Sequence, residues 1–282
     1  MSPRDVASRA LDRREGAAAI AARAWRWFQG TLGGRFVEAW FELRVIERAL
    51  ALASKLFIAI LPLSILVTAI VSGQAFGDEL VSRFGLTGGG ASAARELFAA
   101  PAQVQASIGL LGVVILTSSI LSFASALQRM YLDSWRLDPS AGAARTRLLW
   151  LAGLLVWVTL LSIAHETAEG WDAPALSWLL AVVGGGAFFL WTPYVLLGRR
   201  VRPRRLLPTA LATGVALGVL AVGSDLVMPE LVTHNTARYG LIGFTFSLVS
   251  WLFSGAVLVV SAAILGALLD RAGAAGPRSA AA

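Results

Sequence analysis

Cysteine is absent from this 282-residue chain, which removes disulfides, thiolate metal sites and cysteine nucleophiles at once. Charge is scarce too: 15% of residues are charged against 57% apolar, a profile no soluble domain of this length shows. Histidine occurs twice, at His165 and His234, in two different segments expected to face outward. Neither has a second histidine at helical ligand spacing. Together with Glu166, Glu169, Asp172 and Asp225 they read as solvated residues, so no metal, cofactor or catalytic residue is expected. The glycine clusters 88–90 and 184–186 follow no strand and precede no lysine, which excludes a nucleotide loop. Lys55 is the only lysine. No apolar core with a cleavage site follows the early basic residues, so no signal peptide is expected.

What is present is long apolar runs punctuated by arginine. The formal charge of +7 would suggest nucleic acid in a soluble protein, but here the basic residues concentrate in particular loops. Arg199, Arg200, Arg202, Arg204 and Arg205 form one such loop, without an acid, between two apolar runs. A cluster of that kind stays in the cytoplasm. The pattern predicts an all-α, polytopic integral membrane protein with six transmembrane helices over 49–72, 106–127, 148–164, 174–197, 206–224 and 239–269. Residues 1–48 are expected to hold a loose tail and an amphipathic interfacial helix, with Ile20, Ala24, Trp27 and Phe28 on one face. Gly33 and Gly34 should break that helix before Phe36, Val37, Trp40 and Phe41 restart its apolar face. Its alternatives are the headgroup level or packing on the bundle. Residues 91–100 should form a short surface helix, and 271–282 a cytoplasmic tail.

Loop arginines set the orientation. Nine precede the first run, four (Arg129, Arg136, Arg145, Arg147) join the second to the third, and five join the fourth to the fifth. The alternate loops carry only Arg83 and Arg95, then none, then Arg238. Both termini are therefore expected in the cytoplasm. Trp150, Trp171, Trp178 and Trp191 fall near run ends, as interfacial aromatics do.

Polar residues within the runs are the candidate site. Ser247, Ser250, Ser254 and Ser261 share one face of the sixth run with Gly243, and either let helices pack closely or line a polar cleft. Ser118, Ser122 and Ala126, and Ala210, Gly214 and Gly218, make similar stripes. Lys55 either joins that cleft or snorkels to the cytoplasmic interface. The arginines of 199–205 serve topology or contact anionic lipid. Pro62, Pro193 and Pro208 are candidate kinks, and the first two occupy corresponding helices of two three-helix halves, as in an inverted repeat.

Four segments carry a resemblance: RALALASKLFIAILPLSILV (48–67), ALQRMYLDSW (126–135), LLGRRVRPRRLLPTALATG (196–214) and YGLIGFTFSLVSWLF (239–253) with ILGALLD (264–270). In this order and spacing the chain resembles the YihY/virulence factor BrkB family of bacterial inner-membrane proteins, formerly labelled ribonuclease BN. Where that family usually has a glutamate in the last motif this chain has Leu268, so no role of that acid carries over. The resemblance implies a six-helix membrane protein, some of whose relatives are linked to serum resistance or export of envelope lipids. With the serine face, the paired prolines and the basic loop, it points to a transporter or flippase-like exporter of an amphipathic envelope molecule such as a lipid. The alternative is a non-transporting scaffold for envelope enzymes. Ribonuclease activity, or any enzyme activity, is not expected. The expected partners are membrane lipids and not nucleic acid, and the oligomeric state stays open.

Overall fold

The computed structural model describes residues 30–70, 76–98, 110–139, 142–170 and 174–274. Every regular element among them is an α-helix. Residues 1–44 and 45–282 form two separate compact units. In the first, α1 (Leu32–Glu42) opens on Thr31, whose Oγ1 accepts a hydrogen bond from the Gly34 amide at 3.2 Å. This N-cap satisfies a donor that the first turn would leave bare. Gly33 and Gly34 lie in the first turn of α1, and the break expected at them falls just before that turn, at Thr31, whose backbone is extended. A second break comes at Leu43 and Arg44, where Arg44 takes a left-handed φ of 50°. The face built from Ile20, Ala24, Trp27 and Phe28 lies outside the described residues.

The second unit contains α2 (Val45–Ile70), two short helices α3 (Phe76–Arg83) and α4 (Gly88–Phe98), then α5 (Leu110–Ser134), α6 (Ala143–Gly170), α7 (Pro174–Leu196) and α8 (Pro203–Ala274). The acidic link after the third run is helical as far as Gly170, so His165 sits on α6 and not in a loop; Asp172 lies outside the described residues. The expected outward loop around Asp225, His234 and Arg238 is helical as well. Proline does not end these helices. α2 continues through Pro62, and backbone dihedrals stay helical at Pro193 and Pro208.

The change of direction falls at Gly240, with φ 56° and ψ −137°. A side chain there would be strained, whereas glycine adopts such values freely. It folds α8 into two antiparallel arms, 203–239 and 241–274. Arg205 meets Asp270, Gly266 abuts Thr209, Gly255 faces Leu220, Trp251 Nε1 donates to Ser224 Oγ at 2.7 Å, and Asn235 Nδ2 donates to Ser247 Oγ at 2.8 Å.

α6 and α7 pair the same way. Trp150 Nε1 donates to Thr192 Oγ1 at 3.3 Å, Trp157 Nε1 donates to the Gly184 carbonyl at 3.0 Å, and the Trp157 ring stacks on Phe188 at 4.3 Å. Gly153 lies directly under the Trp191 ring. Trp150 and Trp191 therefore join the two helices, Trp150 through its Nε1 bond to Thr192 and Trp191 through the gap that Gly153 leaves for its ring. Trp171 and the Trp178 side chain lie outside the described residues. The expected surface helix after Gly88–Gly90 is a packed one: Ala91, Ala93 and Ala94 of α4 are buried with Leu80, Phe84, Met228, Val232 and Phe244.

The outward faces are apolar. Along the first arm of α8, Leu207, Leu211, Val215, Val219, Val222 and Leu226 are all exposed. At 1.5 Å rise per residue this stripe is roughly 28 Å long, against about 30 Å for a bilayer hydrocarbon core. No charged residue occurs from 206 to 224, and ion pairs stand at each end, Arg205–Asp270 and Arg83–Asp225. Val156, Leu160 and Ile163 of α6 and Val182 and Val183 of α7 also face outward. A patch of this extent demands a partner in water and suits hydrocarbon. By length and composition, Ala143–Leu161 and Pro203–Gly273 are apolar enough to cross a membrane.

A cationic cleft between α2 and α5

The two ends of the second unit differ. At one end the C-terminus of α5 meets the starts of α2 and α6, the end of α7 and both extremities of α8. Arg48 pairs with Asp133, Arg147 Nε donates to Gln128 Oε1 at 2.8 Å, Gln128 Nε2 donates to the Leu196 carbonyl at 2.9 Å, Arg200 Nη2 donates to the Asp138 carbonyl at 2.7 Å, and Arg271 Nη2 donates to the Ser134 carbonyl at 2.9 Å. Helix C-termini leave carbonyls without intrahelical partners, and arginine forks satisfy them here. The other end carries Arg83–Asp225 and Arg95–Asp78. Basic loops separated by up to 150 residues of sequence are thus brought to one face by direct contact.

Into the arginine-rich end opens a cleft of about 250 Å³ lined by Arg48, Ala51, Leu52, Lys55, Ser125, Ala126, Arg129, Met130 and Asp133. Its walls are α2 and α5, which run antiparallel: Arg48 meets Asp133 at the rim, and Lys55 meets Ser122 further in. Three cations face one acid, above a floor of alanine, leucine and methionine. Lys55 Nζ donates to Ser122 Oγ at 2.8 Å. Ser122 lies about a turn further from Arg129 than Ser125 and Ala126 do. The ammonium therefore bonds across to the facing helix.

The serines of the sixth run do not share this cleft. Ser247 is fully buried between the arms of α8, donating to the Gly243 carbonyl at 3.0 Å while it accepts from Asn235. Ser254 is exposed and bonds back to the Ser250 carbonyl at 2.9 Å. Ser250 and Ser261 are half-buried. A regular stripe on one helix meets different neighbours along its length, so shared periodicity did not make a shared surface. Of the small-residue stripes, only the second run reaches the cleft, through Ser122, its bond to Lys55, and Ala126.

The arginine loop divides. Arg205 is committed to Asp270, with Nε at 3.0 Å from Oδ1 and Nη2 at 2.7 Å from Oδ2, and Arg200 is committed to backbone carbonyls. Hydrogen bonding to Asp270, then its charge, raises the Arg205 guanidinium above its ordinary pKa. Arg199, Arg202 and Arg204 are exposed. Pro193 is buried inside α7, and Pro208 lies in the second turn of α8. The residues that reading from sequence missed are Arg48, Arg129 and Asp133. A signal was available: Arg129 and Asp133 stand at i, i+4 on one helix face, and Asp133 is the only acid on α5.

No curated protein and no solved structure matches the chain. A family model described as virulence factor BrkB matches residues 37–282, which take in α2–α8 and therefore both walls of the cleft. With its all-helical architecture and outward-facing apolar helices, the chain belongs to the virulence factor BrkB family and is a membrane protein.

Proposed function

We propose that this protein is a multi-pass protein of the bacterial inner membrane that exports an amphipathic envelope molecule such as a lipid. The cleft between α2 and α5 carries the reading: a polar, cationic recess with an apolar floor suits a molecule that is charged at one end and greasy at the other. We place six spans in the bilayer, α2, α5, α6, α7 and the two arms of α8, with the arginine-rich end and both termini in the cytoplasm. The cysteine-free chain makes this orientation testable by single substitutions. Arg238→Cys is expected to react with a membrane-impermeant maleimide added to whole cells, and Arg202→Cys only after permeabilisation. The reverse pattern would overturn the placement.

Export itself is tested by flux in vesicles reconstituted with the full chain. A labelled anionic lipid is expected to cross several-fold faster than in protein-free vesicles, and to slow when Arg48 is replaced by Gln. Equal rates with and without protein would remove the reading. A second reading, a scaffold for envelope enzymes, is favoured by one observation: residues 1–44 form a compact unit of their own. Deleting residues 1–40 separates the two, because a scaffold loses its bound enzymes while an exporter keeps its flux.

A further inference from the structure

Lys55 stands where charge is costly, so what neutralises it matters. Its neighbours on α2 from 49 to 70 include no acid, α5 carries none from 110 to 132, and the second arm of α8, which also packs on α2, has none from 241 to 269. The one acid in the cleft, Asp133, is engaged by Arg48 at the rim. The partner the structure does give Lys55 is the neutral Ser122 hydroxyl, which occupies one of the three ammonium donors. Arg129, on the opposite wall, is exposed. Two cations therefore face the recess, and among the described residues no carboxylate but the Arg48-paired Asp133 lines it. The apolar residues Ala51, Leu52, Ala126 and Met130 lie between.

We infer that this cleft binds the phosphate of an anionic lipid headgroup, held between Lys55 and Arg129, with the glycerol and first methylenes on the apolar floor. This rests on the placement of the arginine-rich end at the cytoplasmic surface. The recess, at about 250 Å³, is smaller than most ligand pockets. It suits a compact phosphodiester and not an oligosaccharide. Arg48, already paired with Asp133, acts as the rim that fixes the width of the entrance.

The test is equilibrium binding to the full chain in nanodiscs of phosphatidylcholine doped with phosphatidylglycerol, counting retained anionic lipid by native mass spectrometry. Lys55→Met and Arg129→Gln are each expected to weaken retention about fivefold, the scale of one cation at an anionic surface. Lys55→Arg should keep most of it, and Arg238→Gln, at the other end, all of it. Equal retention by wild type, Lys55→Met and Arg129→Gln overturns the inference. So does loss with Lys55→Arg equal to that with Lys55→Met. Displacement of the lipid by millimolar inorganic phosphate overturns the assignment to a lipid in favour of the free ion. Flux measured on the same preparations keeps the two proposals apart. Retention without flux sinks export and leaves the binding site, and flux with retention equal in wild type, Lys55→Met and Arg129→Gln does the reverse.

Discussion

Gly266→Leu is expected to yield no folded protein, and Gly266→Ala to yield protein that melts several degrees early. The reason lies near the free ends of the α8 hairpin, away from its turn at Gly240. A Cβ built on Gly266 would overlap the Thr209 hydroxyl and, more seriously, its backbone nitrogen and Cα. A flexible side chain can swing aside, but a helix backbone moves only with its neighbours. Overpacking of this kind costs about 1–3 kcal/mol for one methyl group, and a leucine multiplies it. Thr209 is itself buried, with its hydroxyl unpartnered among the described residues, so no slack exists on that side. Thr209→Gly should rescue Gly266→Ala only in part, because it removes the hydroxyl contact and leaves the backbone one. Gly218→Leu is the control: nothing lies within 4 Å of a Cβ there, and the added side chain would project into open space. The measurement is thermal unfolding in detergent, with yield of monodisperse protein for the leucine variants. A Gly266→Leu protein as stable as wild type would show that the arms do not approach as closely as the antiparallel pairing requires.

That contact also marks where the sequence was readable and where it was not. Apolar runs and arginine spacing are one-dimensional signals, so the helical class and the clustering of basic residues at one end could be read before any fold. Which small residue meets which helix is a pairing property. Gly214 and Gly218, conspicuous at four-residue spacing, have only ordinary contact or open space opposite them, while Gly266, alone in its motif, meets the Thr209 backbone near the free ends of the arms, as Gly243 meets that of Asn235 beside the turn. The same logic applies to the serine face. Serines repeating along the second arm of α8 drew the eye, but their surroundings change every turn from buried to exposed. The recess instead forms where α2 and α5 each present small residues beside long cations, and neither helix alone shows a pattern. Gly240 was hard to single out for a related reason: it stands at the very start of the sixth apolar run, three residues before Gly243, and only its positive φ identifies it as the turn.

Arg205→Ala is expected to destabilise the protein by more than Asp270→Ala, although both break one ion pair. The partners sit in different surroundings: the Asp270 side chain is 9% exposed and that of Arg205 55%. Removing the arginine strands a nearly buried carboxylate that had accepted from Nε and Nη2 of one guanidinium. An unsatisfied buried group costs about 1–3 kcal/mol, at the upper end when it is charged. Removing the aspartate leaves a guanidinium that turns into water, and an exposed pair is worth no more than about 1 kcal/mol, less in high salt. The double variant should therefore be more stable than Arg205→Ala alone, since it deletes the stranded charge. Arg205→Lys should recover only part, because a single ammonium cannot span both carboxylate oxygens. Thermal melts of the four proteins at low and high salt decide the matter. Equal and negligible losses would show that the pair does not tie the ends of the α8 hairpin, and that Arg205 is as available to anionic lipid as Arg202 and Arg204.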